Sequence, residues 1–144
     1  MSEYGFTERI GLRMNDFDAN QHVNNTAFVS FLQDARANYF RELWGDDWME
    51  SSVVIATLDI DFLAPILIGD EVHVDVRVVD VGTSSWTVEY RVRAVPEDGR
   101  GRDERVAASA SSVQVAWDRD AARSQPLPDS WRELLEDELV VPAA

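Results

Sequence analysis

Residues 16–45 read DFDANQHVNNTAFVSFLQDARANYFRELWG. The first ten gather two aspartates, four amide side chains and one of the chain's two histidines. The next twenty place Phe28, Phe31, Leu32, Ala35, Tyr39 and Leu43 at three- and four-residue steps, which puts one apolar stripe on a helix of about 18 residues. Asn24 or Asn25 is suited to cap its start, and Gly45 to stop it. A long amphipathic helix with a polar loop at its mouth is therefore the feature around which the rest of the chain must be arranged.

Working outward, TERIGLRM at 7–14 alternates Ile10, Leu12 and Met14 against Arg9 and Arg13, the period of a half-buried strand. Beyond the helix everything reads as strand. Val54, Ala56, Leu58, Ile60 and Phe62 fall on one face of a segment whose other face carries Thr57, Asp59 and Asp61, and Pro65 with Gly69-Asp70 marks a connection. EVHVDVRVVD at 71–80 sets Val72, Val74, Val76 and Val78 on one side. A tight turn at 82–84 leads to Trp86, Val88, Tyr90 and Val92 in the same pattern. PEDGRGRDE at 96–104 is a polar loop, a last strand runs to about Trp117, and a short helix begins at Asp129 or Ser130. The helix stripe needs cover and the sheet has an apolar face to give. The prediction is an α+β layer in which an antiparallel sheet of about five strands wraps one long helix, the hotdog architecture.

Composition limits the possible functions. A chain of 144 residues is about one domain long, and a domain of that size buries roughly 68–70% of its unfolded surface, so residues 1–144 are read as a single domain. There is no cysteine, which excludes disulfides, a thiolate nucleophile and cysteine-based zinc sites. Acids outnumber basic residues 27 to 13, and every basic residue is arginine. A nucleic-acid partner is not expected for such a surface. The lysine-free acidity fits either a high-salt cytoplasm or a GC-rich genome. MSEYGFTERI lacks a signal-peptide core, and no run reaches the ~18 apolar residues of a membrane span. A cytoplasmic protein with no membrane partner is expected.

The stretch RMNDFDANQHVNNTAFVSFLQDARANYF at 13–40, between a first strand and a long helix, resembles the signature of hotdog acyl thioesterases of the 4-hydroxybenzoyl-CoA thioesterase family. DANQHVNN at 18–25 also resembles the D-x-N-x-H-V-N-N motif of plant acyl-ACP thioesterases, and IDFLAPILIGDEVHVDVRV at 60–78 is similar to the family's second and third strands. The resemblance implies that Asp18 is the nucleophile or general base and that Asn20 and His22 are the motif's other polar positions. It also implies a homodimer or homotetramer with active sites between subunits. The cysteine proposed for the plant enzymes has no counterpart here.

The residues support these roles on physical grounds. Thioester hydrolysis needs a group that attacks or activates water and donors aimed at the carbonyl oxygen as it gains charge. A carboxylate meets the first need. The unpaired N–H groups and positive dipole end of a helix start meet the second, and those of Asn24, Asn25 and Thr26 lie a few residues from Asp18. Aspartate and asparagine before a helix also serve as plain caps and turn formers, which is the reading preferred for Asp16. Asp34 is read as a solvated helix residue, Asp59 and Asp61 as second-tier candidates, and His73 is given no role. No metal-ligand spacing is recognisable, and no cofactor is expected.

The substrate expected is an acyl-CoA, because acyl carrier proteins are acidic and a chain of net charge −14 would repel them. Arg91 and Arg93, or Arg100, Arg102 and Arg105, are available for coenzyme A's phosphates. Two other functions fit the same fold. A hotdog hydratase or dehydratase would carry a proline and a wider Asp-to-His spacing that this chain lacks, and a non-catalytic acyl-binding protein would not need the intact Asp18, Asn20 and His22 set.

Overall fold

A computed structural model of the chain describes residues 4–45, 52–97 and 101–140. Strand β1 (Phe6–Ile10) leads through a 3-10 turn (Met14–Asp16) to helix α1 (Asn25–Trp44); β2 (Val53–Phe62), β3 (Asp70–Val81), β4 (Ser85–Pro96) and β5 (Arg105–Asp118) follow. A two-residue strand β6 (Arg123–Ser124) and helix α2 (Asp129–Glu138) complete the described chain. The strands are ordered β1-β3-β4-β5-β2, all antiparallel, with β6 paired to the end of β5. This is the hotdog arrangement, with β2 at one edge and α1 lying chiefly over β1 and β3.

The alternation in the sequence explains the core. Val72, Val74, Val76 and Val78 of β3 and Trp86, Val88, Tyr90 and Val92 of β4 are buried on the face toward α1. They meet Phe28, Phe31, Leu32, Ala35 and Tyr39 from the helix. Asn24 is the N-cap, its Oδ1 accepting the Thr26 amide at 3.0 Å, and Gly45 ends the helix at φ +63°, a conformation that favours glycine. At the far end Trp44 stacks on Trp131 at 4.9 Å and stands edge-on to Trp86 at 5.8 Å, tying α1, β4 and α2 together. The buried Tyr39 hydroxyl donates to Glu138 Oε1 at 2.8 Å. Burial first, then the Glu138 carboxylate, push this phenol upward, so it stays a donor.

Two sequence expectations are corrected. The first strand stops at Ile10 rather than reaching Met14, because the Asp16 carboxylate accepts the Arg13 amide at 2.7 Å and closes the 3-10 turn; Met14 is left 89% exposed. In β2 a register shift between Ile55 and Thr57 breaks the single apolar face. Ile55 and Leu58 oppose Gln114 and Ser112, both buried, so Ile55, Leu58, Ile60 and Phe62 share the inner face while Val54 turns outward with Thr57, Asp59 and Asp61. Five strands form the main sheet as expected, and β6 adds a two-residue sixth too short to leave a periodic signal.

Candidate active site

The polar loop is a small closed structure. Phe17 pairs with Val23, the Asp18 amide donates to the His22 carbonyl at 2.8 Å, and the Gln21 amide donates to the Asp18 carbonyl at 3.0 Å, with Gln21 at φ +63°. Asp18 Oδ1 accepts the amides of Asn20 at 2.8 Å and His22 at 3.2 Å. One carboxylate oxygen thus closes the loop. Oδ2 has no donor among the described residues. The loop is joined to the helix start by the Asn24 amide, which donates to the Asp16 carbonyl at 2.6 Å, and to the 65–70 turn by the Val23 amide, which donates to the Ile66 carbonyl at 2.9 Å.

These bonds decide which helix-start amide is free. The Asn24 amide is engaged with Asp16 and the Thr26 amide with the Asn24 side chain, which also accepts from the Thr26 hydroxyl at 3.1 Å. The Asn25 amide alone of the three has no acceptor among the described residues. Asp18, His22 and Asn25 open on one cavity of about 310 Å³, whose apolar wall includes Phe28, Phe62 and Pro65. Asp18, with one carboxylate oxygen unpaired, His22 and Asn25, whose amide is uncapped, thus line one cavity beside an apolar wall. Asn20 contributes its backbone amide to Asp18, and Thr26 belongs to the cap; neither lines the cavity.

A family model for the thioesterase-like superfamily matches residues 12–135. The chain belongs to the thioesterase-like superfamily. It is similar to a thioesterase from Thermus thermophilus crystallised with coenzyme A and Zn, at 35% identity and TM-score 0.82 over 99% of this chain and 100% of that one. A predicted thioesterase from Bacillus stearothermophilus is 26% identical, with TM-score 0.82 over 96% of this chain and 98% of that one. Among curated sequences, YsmA of Bacillus subtilis is 24% identical over 90 residues, which span 62% of this chain and 61% of YsmA.

The remaining candidates of this thioesterase-like protein lie elsewhere. Arg91 and Arg93 are on the outer face of the sheet, away from the cavity, where their Nε atoms donate to Asp75 Oδ2 at 2.8 and 2.7 Å; Arg93 also pairs with Glu104. Asp59 and Asp61 border a separate outer groove with Arg77, Ser109 and Ser111. Asp34 is exposed on α1, as expected, and His73 pairs with Glu71 at 3.2 Å. Among the described residues no three acidic or histidine side chains group as a metal site. Arg100 lies outside the described residues.

Arg102 and Arg105, read from the sequence as phosphate ligands, instead clamp Asp70. Its fully buried carboxylate accepts the Leu67 amide at 2.8 Å, Arg102 Nη2 at 2.9 Å and Arg105 Nη2 at 2.6 Å. Arg105 Nη2 also donates to the Pro65 carbonyl at 2.8 Å, so the clamp holds the residue that forms one wall of the cavity. The sequence signal, Gly-Asp at 69–70, marks only the connection.

Burial is the largest influence on Asp70 and pushes its carboxyl up, yet the Leu67 amide and the two guanidinium groups outweigh it and hold it below the usual carboxylate range. Asp75 is likewise lowered, burial being outweighed by Arg93, Thr7 and Arg91. A carboxylate depressed on folding stabilises the protein above its unfolded value and loses that contribution as pH falls through its folded value. The urea midpoint is therefore expected to hold down to about pH 4, where free aspartates titrate, and to fall steadily below it. A midpoint unchanged at pH 3 would contradict the assignment.

Proposed function

We propose that this protein hydrolyses an acyl-CoA thioester to the free acid and coenzyme A. Within its superfamily we read the site as one of the 4-hydroxybenzoyl-CoA thioesterase kind. The observation that carries this reading is the single cavity lined by Asp18, His22 and Asn25 beside an apolar wall, with Asp18 Oδ2 and the Asn25 amide left unpaired among the described residues. The Asn25 N–H receives the thioester oxygen as it becomes an oxyanion. Asp18 Oδ2 either takes a proton from a water that attacks the carbonyl carbon, or attacks it directly to form an acyl anhydride that water then cleaves; in both cases the C–S bond breaks and the thiolate leaves as coenzyme A. His22 orients the water or substrate, while Asn20 and Asn24 fix the loop and the cap. The reaction needs no cofactor, and the coenzyme A substrate suits a cytoplasmic location.

Purified protein is expected to release free thiol from acyl-CoA esters. Intact ester bound without thiol release would favour the non-catalytic alternative, and water addition to an enoyl-CoA the hydratase alternative. Label on Asp18 after a single turnover in 18O-labelled water would identify it as the nucleophile, water having cleaved the anhydride at the Asp18 carbonyl; general-base action puts label only on the released acid.

We also propose that the protein is at least a homodimer, paired through β2. Among the described residues this strand has β5 on one side only, and its inner face leaves Ile55, Leu58 and Phe62 exposed, with Phe62 at the cavity. An unpaired edge with apolar side chains is a surface that a second copy covers. Light scattering should return the mass of a dimer or tetramer at micromolar concentration, and a monomer would overturn this assembly.

A further inference from the structure

Arg36 is the exception in an acidic protein. Among the described residues the other half-buried arginines, Arg77, Arg91, Arg93, Arg102, Arg105 and Arg132, each pair with a carboxylate. Arg36 forms no ion pair there. Its Nη1 donates to the Tyr90 hydroxyl at 3.0 Å, and that hydroxyl is bonded at 2.6 Å to the buried Ser112 hydroxyl, which in turn donates to Gln114. A guanidinium drawn partly out of water and held only by a phenol has unused donors, in a chain with 27 acids to choose from.

Its position ties it to the proposed catalytic cavity. Asn25, Val29, Leu32 and Arg36 follow the i, i+4, i+7, i+11 steps that align on one flank of a helix, so Arg36 lies roughly 16 Å along α1 from Asn25. Below that flank, Phe62, Ile60 and Leu58 of β2 oppose the small residues Ala108, Ala110 and Ser112 of β5 on the inner face. The strip runs roughly 13 Å from Phe62, which lines the cavity, to Leu58 opposite Ser112. Phe62 and Leu58 remain exposed along it. An apolar strip of β2 thus leads from the Asp18 cavity to Leu58, opposite Ser112, whose hydroxyl joins Tyr90 and Arg36.

We propose that Arg36 receives a carboxylate at the distal end of the acyl group, so that the substrates are coenzyme A esters of carboxylate-terminated acids lying along this strip. The inference rests on the hydrolysis reading and adds to it the substrate class. Between this face and the second copy proposed to cover it, an apolar chain lies along Phe62, Ile60 and Leu58, and the terminal carboxylate supplies Arg36 with the anion that the described residues do not.

The test compares suberoyl-CoA with octanoyl-CoA, which match in carbon number and differ in the terminal carboxylate. Wild type is expected to show a kcat/KM at least ~10-fold higher for suberoyl-CoA, the range of a hydrogen-bonded charge. Arg36→Met should remove that preference while keeping octanoyl-CoA hydrolysis, Arg36→Lys should retain it in part, and Tyr90→Phe should weaken it. An unchanged ratio in Arg36→Met overturns the proposal. So does an equal loss on both esters accompanied by weaker dimerisation, which would assign Arg36 to a carboxylate of a second copy. If wild type hydrolyses neither ester, the hydrolysis reading falls. Both esters can then be titrated intact by calorimetry, where a suberoyl-CoA preference lost in Arg36→Met upholds the Arg36 site, and equal binding or none overturns it.

Discussion

Asp18→Asn is expected to fold and assemble as the parent does and to hydrolyse acyl-CoA at least ~10²-fold more slowly, since general-base assistance alone is worth ~10²–10⁴-fold. In the proposed mechanism the two oxygens of Asp18 do separate work. Oδ1 accepts the Asn20 and His22 amides, and asparagine keeps an oxygen there, so the loop stays closed. Oδ2 becomes an amide nitrogen that neither attacks a carbonyl nor accepts a proton. Asp18→Ala would lose both functions and could not tell a misfolded loop from missing chemistry. Asp16→Asn is the internal control: that side chain is buried in the 3-10 turn and caps the Arg13 amide, so its loss should cost much less activity. Thiol release measured as kcat/KM beside circular dichroism distinguishes the cases. Equal activity in Asp18→Asn and wild type would place the chemistry elsewhere, with Asp34 or the Asp59 and Asp61 face next to test.

The contrast between Asp18 and Arg91 shows what a sequence can and cannot disclose about this site. Asp18, His22 and Asn25 lie within eight positions of one another, and a loop of that length before a helix has few ways to fold, so their convergence was legible from spacing and motif. The strands of 70–81 and 85–96 were legible for a similar reason: alternate burial depends only on a period of two. The β2 bulge was not, because one inserted residue is set by pairing with Gln114 and Val113 on another strand. The arginines were legible as cations but not by partner. Arg93 meets Asp75 and Arg105 meets Asp70 across 18 and 35 positions, and only the assembled sheet decides those pairs. Charge counting therefore nominated phosphate ligands that the fold uses to neutralise its own buried carboxylates.

Asp70→Ala is expected to destabilise the protein by about 3 kcal/mol, the lower end of what breaking a buried ion pair costs. The lower end applies because Arg102 and Arg105 keep 30% and 23% of their side-chain surface exposed and can be partly rehydrated once the carboxylate is gone. The Leu67 amide loses its acceptor as well, and the turn around Gly69, at φ +90°, loses the group that it wraps. Urea unfolding followed by tryptophan fluorescence would measure the change, and a loss below about 1 kcal/mol, no more than a surface pair contributes, would show that the clamp is not structural. The damage should also reach the candidate active site. Arg105 holds the Pro65 carbonyl, Ile66 accepts the Val23 amide, and His22 bridges to Leu67, so the turn released by the substitution carries both the cavity wall and the loop of Asp18. The variant should lose activity at temperatures where it is still folded. Asp70→Asn, which keeps an acceptor but no charge, should fall between the two, and its gap to wild type should narrow as pH falls below 4, where Asp70 takes up a proton in the unfolded chain before it does in the folded one.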